Sequence, residues 1–417
     1  MKLLIRNATV VDILSPHHLK TIDLKINGNT IEEIGKQITI SDDYTVLELA
    51  NLHVSPGWFD SSVSLGEPGF EERETIQNGL RVAALSGFTA IALQPNTFPV
   101  LDNQAQIRFV KEKAKENAVN VYPIGTLTKN AEGADLAELF DMKRAGAIAF
   151  GDYGKAISNA NLLKIGLQYG QDFDGLVISF PQDEKIKGNG VVHEGTVSTR
   201  LGLKGIPALA EELMVARDLF LLEYTSGKLH IPTLSSAHSV ELIQKAKAKG
   251  MAVTCSVSVH HLVLTDDKID CFDTRYKVSP PLRDDFHRKA LIQGVLDNTI
   301  DMITSDHNPI DIEHKKMEFD FAKNGTIGLE SAFGALQTIL PTELIIAKLT
   351  AGKGVFGLAQ NVIQVNQTAD FTFFNPEKKW LFTKESILSK SKNSAFLGQE
   401  MQGKVYGIYN NEQLILE

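Results

Sequence analysis

The stretch Asp60-Ser61-Ser62-Val63-Ser64-Leu65-Gly66-Glu67-Pro68-Gly69 decides how the rest of the chain is read. Ser62 and Ser64 stand two apart on a strand candidate, Val54–Leu65, so both are expected to face one side while Val63 faces the other. Two imidazoles at that spacing could chelate one metal ion. Hydroxyls are poor ligands for a zinc-like cation, which takes imidazole, thiolate or carboxylate. Two serines there are expected to hydrogen-bond to neighbours or water.

Outward from this strand, seven more short apolar runs alternate with helical stretches. They are Phe88–Gln94, Val119–Gly125, Ala147–Phe150, Leu176–Phe180, Leu229–Leu234, Ala252–Val257 and Asp301–Thr304. Most are continuously apolar, as parallel strands covered on both faces should be. Helices are expected over Glu72–Leu85, Gln104–Glu116, Pro207–Tyr224, Val240–Lys249 and Phe286–Leu296. Eight strand–helix units predict an α/β fold, a (β/α)8 TIM barrel over residues 55–355. The first 54 residues read instead as short β segments, with a hairpin turn at Asn27-Gly28-Asn29. Asp370–Phe374 and Lys404–Asn410 read the same way near the other end.

Composition narrows the function classes. The 417 residues are 43% hydrophobic with no charge block, which suits one barrel plus a smaller domain. A formal charge of −9 argues against nucleic-acid or anionic-membrane partners, which need clustered Lys and Arg. Nothing reads as a signal peptide or a membrane span. Two cysteines make no disulfide framework, so the expected setting is cytoplasmic.

The opening stretch resembles the D-x-H-x-H-L-R-E-P-G segment of the dihydroorotases, members of the metal-dependent amidohydrolase superfamily. Further motifs follow in the family's order. Gln94-Pro95-Asn96-Thr97 resembles M-P-N-T, whose asparagine contacts substrate; Asn96 reads equally as a turn-stabilising residue. Phe150-Gly151-Asp152-Tyr153-Gly154 is similar to F-x-D-D-G, whose first aspartate bridges two metals. Phe180-Pro181-Gln182-Asp183 stands where the family has H-x-E-D. His230 to Ser236 stands where it has H-x-x-H-x-S-T, with Thr233 at the second histidine. Val259-His260-His261-Leu262 is similar to P-H-H-L, and Val278-Ser279-Pro280-Pro281-Leu282-Arg283 to V-N-P-P-L-R. Ser305-Asp306-His307-Asn308-Pro309-Ile310 is similar to D-H-A-P-H, whose aspartate binds metal and serves as general base. The segment around Asn324 and Gly325 is similar to the loop that closes over substrate.

The resemblance implies a small β-sandwich-like domain formed by residues 1–54 and 356–417 together. It also implies six metal-ligand positions. Asp152 and Asp306 keep carboxylates there; Ser62, Ser64, Phe180 and Thr233 replace histidines. Two carboxylates fall short of ordinary three- or four-ligand zinc coordination, so no metal cofactor is expected. Gly66, Ser279 and Ile310 replace substrate contacts, leaving Asn96, Asn324 and Gly325 as remnants, and Phe180 and Ile310 are expected to fill and dry the pocket. Asp306 becomes a vestigial base, and Asp152 and Asp306 are expected to share the emptied centre and repel.

Three readings follow from this resemblance. One is a non-catalytic member that forms a homodimer or assembles with aspartate carbamoyltransferase. Another is an active cyclic amidohydrolase with an unusual or single zinc, drawn from Cys255, His260, His261 and Cys271 or from His193, His230 and His307. The third is a protein that keeps its pocket for binding alone.

Overall fold

The computed structural model describes all 417 residues, Met1 to Glu417. Eight strands hydrogen-bond side by side in chain order: Trp58–Val63, Phe88–Leu93, Asn120–Gly125, Ala149–Phe150, Leu176–Ile178, Leu229–Ile231, Val253–Ser258 and Met302–Thr304. All pairings are parallel. The ring closes just past the last strand, where His307 N donates to Ser62 O (3.1 Å) and Ser64 N donates to His307 O (2.8 Å). This is the TIM barrel the alternating pattern predicts.

Neighbouring side chains on the first strand show how the barrel packs. Trp58 points outward onto Phe88, Phe333 and Phe374, with ring centroids 5.9, 5.0 and 5.8 Å away. Phe59 points inward, joins Ala92, Ile124, Ile178 and Met302 in the barrel interior, and meets Phe356 at 5.5 Å. Burying aromatic faces on both sides of one strand contributes on the order of 2–3 kcal/mol per ring.

A second sheet draws on both ends of the chain. Its order is Gln413–Leu416, Glu400–Asn410, Phe371–Leu381, His53–Pro56, Lys2–Val10, Thr21–Asn27 and Thr30–Gly35, with Thr45–Leu47 also pairing with Lys2–Val10. His53–Pro56 runs parallel to Lys2–Val10 and antiparallel to Phe371–Leu381, and so stitches the two ends together.

Three sequence expectations need correction. Val54–Leu65 is two strands divided at Gly57, since His53–Pro56 pairs into the second sheet and Trp58–Val63 into the barrel; a Cβ at 57 would lie 1.9 Å from Asp370 Oδ1 and 2.1 Å from Thr89 Oγ1. The fifth strand ends at Ile178 and the sixth at Ile231, so Phe180 and Thr233 stand on loops beyond them. Thr233 holds φ +49, a left-handed conformation that a β-branched residue adopts only under constraint. The first helix starts at Ile76 rather than Glu72. Thr75 caps it by accepting from Asn78 N, and Glu67 Oε2 accepts Ile76 N at 2.8 Å.

Candidate functional site at the barrel mouth

The C-terminal ends of the strands surround a cavity of about 500 Å³. Its wall includes Ser62, Asn96, Asp152, Phe180, Thr233, Asp306, Asn324 and Gly325, which the sequence singled out, and also Ser279 and Ile310. Residues 64 and 66 are absent from that wall. The pairing with the second strand shifts register between Asp60 and Val63, so Ser61 and Ser62 face the cavity and buried Ser64 does not. Phe180 and Ile310 are buried in the wall, yet the cavity stays open; they do not fill it.

Asp306 lies at the closure of the barrel with φ +47. Its Oδ1 accepts from Ser62 Oγ at 2.9 Å and from the Tyr153 hydroxyl at 3.1 Å. Burial lifts its pKa to about 6; the Ser62 and Tyr153 bonds oppose that rise and the nearby Asp60 charge adds to it. Asp60, not singled out from the sequence, ties first strand to last: Thr304 Oγ1 and Ser62 N donate to its Oδ1 and Ser305 N to its Oδ2.

Asp152 is turned toward its own neighbours. Its Oδ1 accepts from Leu127 N (2.9 Å) and Thr128 N (3.1 Å), and its Oδ2 takes the Thr128 hydroxyl. Burial raises this carboxyl too, against the Thr128 bonds. The expected mutual repulsion is therefore not what perturbs the pair: each is raised first by burial, and the charges that act on them are Asp60 for Asp306 and Lys155 for Asp152.

The donors at the six expected ligand positions do not fit a zinc pair. They comprise two carboxylates engaged by the chain's own N–H and O–H groups, three hydroxyls and a phenyl ring, with no imidazole or thiolate. The alternative groups do not converge either. Cys255 is buried and donates to Thr299 O, while Cys271 is exposed. His230 bonds Thr254 and Ser256, and His307 Nδ1 accepts from Gly328 N and Leu329 N. Burial depresses both rings to a pKa of about 3.

One group of metal-binding residue types does converge, beside the mouth: His193, Asp284 and His287, with ligand atoms within 4.8 Å of one another. Two hydrogen bonds oppose a cation there. Arg283 Nη1 donates to His193 Nδ1 (3.0 Å) and Ala237 N donates to His287 Nδ1 (3.0 Å). Each neutral ring must then carry its proton on Nε2, the atom left to face a metal. A cation there would have to displace those protons or break both bonds.

Arg73 also lines the cavity, and nothing in its sequence spacing marks it. Its guanidinium stacks 4.0 Å from the Phe70 ring centroid, and its buried Nε has no hydrogen-bond partner. Glu72 and Asp311 approach that atom only to 3.7 and 3.8 Å. Asn96 Oδ1 is likewise buried without a partner. Gly66, where the resemblance places a substrate-gripping arginine, has φ +88, and a Cβ there would lie 2.6 Å from Phe70 O. The turn is closed over a glycine, and Arg73 stands at the mouth as a cation held only loosely by Glu72 and Asp311.

Comparison with known proteins settles the lineage. A family profile described as Dihydro-orotase-like matches residues 52–239. Proteins named dihydroorotase from Pelotomaculum thermopropionicum and Geotalea daltonii are 42% and 38% identical to this chain, each over 97% of it and 96% of the relative. The chain belongs to the dihydroorotase family. Among solved structures, L-hydantoinase (dihydropyrimidinase) from Arthrobacter aurescens superposes with a TM-score of 0.87 at 19% identity, over 100% of this chain and 96% of the other. Dihydropyrimidinase from Brevibacillus agri gives 0.84 at 20%, over 100% and 95%. Those likenesses show the amidohydrolase-type barrel with its added sheet domain. No helix is long and apolar enough to cross a membrane.

Proposed function

We propose that this dihydroorotase-family protein does not hydrolyse or close the cyclic amide, and serves as a structural or regulatory partner in pyrimidine synthesis. The observation that carries this reading is the internal engagement of Asp152 and Asp306. Their carboxylates bind the chain's own Thr128, Ser62 and Tyr153, and no imidazole stands at the other four expected ligand positions, 62, 64, 180 and 233. Opening or closing a dihydropyrimidine ring needs a polarised carbonyl or carboxyl and an activated water, and the family's metal supplies both. Without a site that fits the metal, Asp306 is a base with nothing to act on.

In this reading the chain forms a homodimer or assembles with aspartate carbamoyltransferase in the cytoplasm. The intact barrel supports it, since a fold survives the loss of loop chemistry. Assays in both directions, with dihydroorotate and with carbamoyl aspartate and added zinc, should give no turnover. Co-expression with the organism's aspartate carbamoyltransferase should give one joint peak on a sizing column. Separate peaks at micromolar concentration would remove the scaffold role.

A second reading has its own support. Full-length identity of 42% and 38% to proteins named dihydroorotase favours an active enzyme, with zinc held in an unusual set such as His193, Asp284 and His287. Turnover that requires zinc and is abolished by His193→Ala together with His287→Ala would establish that reading in place of the first.

A further inference from the structure

Near the barrel mouth, sharing with it only Ile310 of the motif residues, lies a second and larger cavity of about 790 Å³. It is strongly basic on a chain whose net charge is −9. Lys315, Lys316, Lys384, Lys390, Lys392 and Arg275 line it, against Glu72, Asp311 and Glu313. Two of those acids face a cation nearby: Asp311 and Glu72 both lie against Arg73. Arg275 is held by Asp273. The five lysines form no ion pair within the chain; Lys390 and Lys392 instead donate to the backbone carbonyls of Glu71 and Ile387 at 2.6 Å each.

Lys315 is the telling residue, because it is only 4% exposed. Its ammonium donates to Thr274 O (2.8 Å) and Lys277 O (3.1 Å), both neutral acceptors. Behind it Lys277, 5% exposed, donates to Phe319 O and Asp320 O. Neither lysine has a carboxylate in ion-pair contact. Burial depresses both pKa values, Lys315 to about 7, and the charge of Lys277 adds to the effect on Lys315. A buried ammonium without a counter-ion is costly, which is why the Lys315 pKa falls, and an anion that enters the cavity favours its charged form.

We propose that this cavity is a binding site for a small molecule that carries two or more phosphates. Five lysines lining one cavity suit the dense charge of a polyphosphate, whereas a single carboxylate is matched better by one arginine fork. The volume admits a ligand of nucleotide size. Ile310 lines both this cavity and the barrel mouth, so the site borders the wall of the first pocket.

The test is calorimetry on the full chain with pyrophosphate and tripolyphosphate, beside inorganic phosphate and citrate. The expected result is one site per chain, tightest for tripolyphosphate and far weaker for phosphate and citrate. Lys384→Ala and Lys392→Ala lie on exposed positions, and each should weaken binding by about tenfold. Lys245→Ala with Lys249→Ala, on the helix Ala237–Ala248 and at its end, should leave binding unchanged. No heat with either polyphosphate, citrate binding as tightly as tripolyphosphate, or equal affinity in the Lys384 and Lys392 variants would each overturn the proposal.

Discussion

Ser62 donates its hydroxyl to Asp306 Oδ1 over 2.9 Å, across the seam where the first and last barrel strands meet. The resemblance places at these two positions a histidine and an aspartate that share a metal. Here they satisfy each other. Asp306 has a folded pKa of about 6 against an ordinary value of 3.8, so the folded state binds more protons between those values. Its contribution to stability therefore falls as pH rises from about 3.8 through 6, and is flat above. Ser62→Ala removes a donor that favours the charged form, so the Asp306 pKa should rise further and the falling limb should extend to higher pH. The expected cost is about 1 kcal/mol at pH 8 and less at pH 5. Carboxyl NMR with denaturant melts at the two pH values checks it; an unmoved Asp306 pKa would contradict the hydrogen bond.

Asp152 depends on Thr128 in the same way. Thr128→Val keeps the shape but deletes the hydroxyl to Oδ2, leaving only the two backbone donors on Oδ1. Because the acceptor is a buried carboxylate, the loss should be about 1.5–3 kcal/mol, larger than for an exposed threonine. Urea unfolding of the variant measures it directly.

Glu211 and Arg283 form the buried charge pair behind the mouth, 3.6 Å apart and 3% and 2% exposed. Glu211 also accepts from Ser235 N and Ser236 N, at 3.1 and 2.9 Å. Glu211→Ala should cost about 3–5 kcal/mol, because it strands a buried guanidinium. Glu211→Ala combined with Arg283→Met should recover part of that loss. A double variant no more stable than the single would show that the serine contacts, and not the charge pair, carry the effect.

His230 gives a pH signature of opposite sign to Asp306. Its ring is buried between Thr254 and Ser256, with a folded pKa of about 3 against 6.5 unfolded. The unfolded chain binds the extra proton, so stability from this residue is complete above pH 6.5 and drains away as pH falls toward 3. Relative to a His230→Gln variant, the parent should lose about 2 kcal/mol between pH 7 and pH 4.5. Parallel stability curves for the two proteins over that range would contradict the buried neutral ring.

The barrel was legible because period and alternation survive single errors. Six of the eight strand candidates needed only trimmed ends, Ala252–Val257 shifts by one residue to Val253–Ser258, and Val54–Leu65 divides at Gly57 because its two halves pair in different sheets, which nothing local marks. The site was legible in its residue types and less so in its geometry. Ser62 faces the cavity but Ser64 does not, since a register shift in the first strand breaks the two-residue alternation on which the pairing rested. Asp152 and Asp306 are raised by burial rather than by each other, because Asp152 is turned onto Thr128, a contact 24 residues distant in the chain. Asp60 went unmarked for the same reason, since its partners Thr304 and Ser305 come near only in the closed barrel, and Arg73 because its place in the cavity wall depends on the barrel around it.

The central claim is that the barrel mouth no longer holds the family's metal. Elemental analysis of protein purified from zinc-supplemented culture, with both directions of the dihydroorotase assay run on the same sample, tests it most directly. The expected result is zinc well below one per chain and no turnover, unchanged by Asp152→Ala or Asp306→Ala. Stoichiometric zinc with turnover that either substitution abolishes would contradict the account, and would mean that these two carboxylates give up Thr128 and Ser62 for a metal.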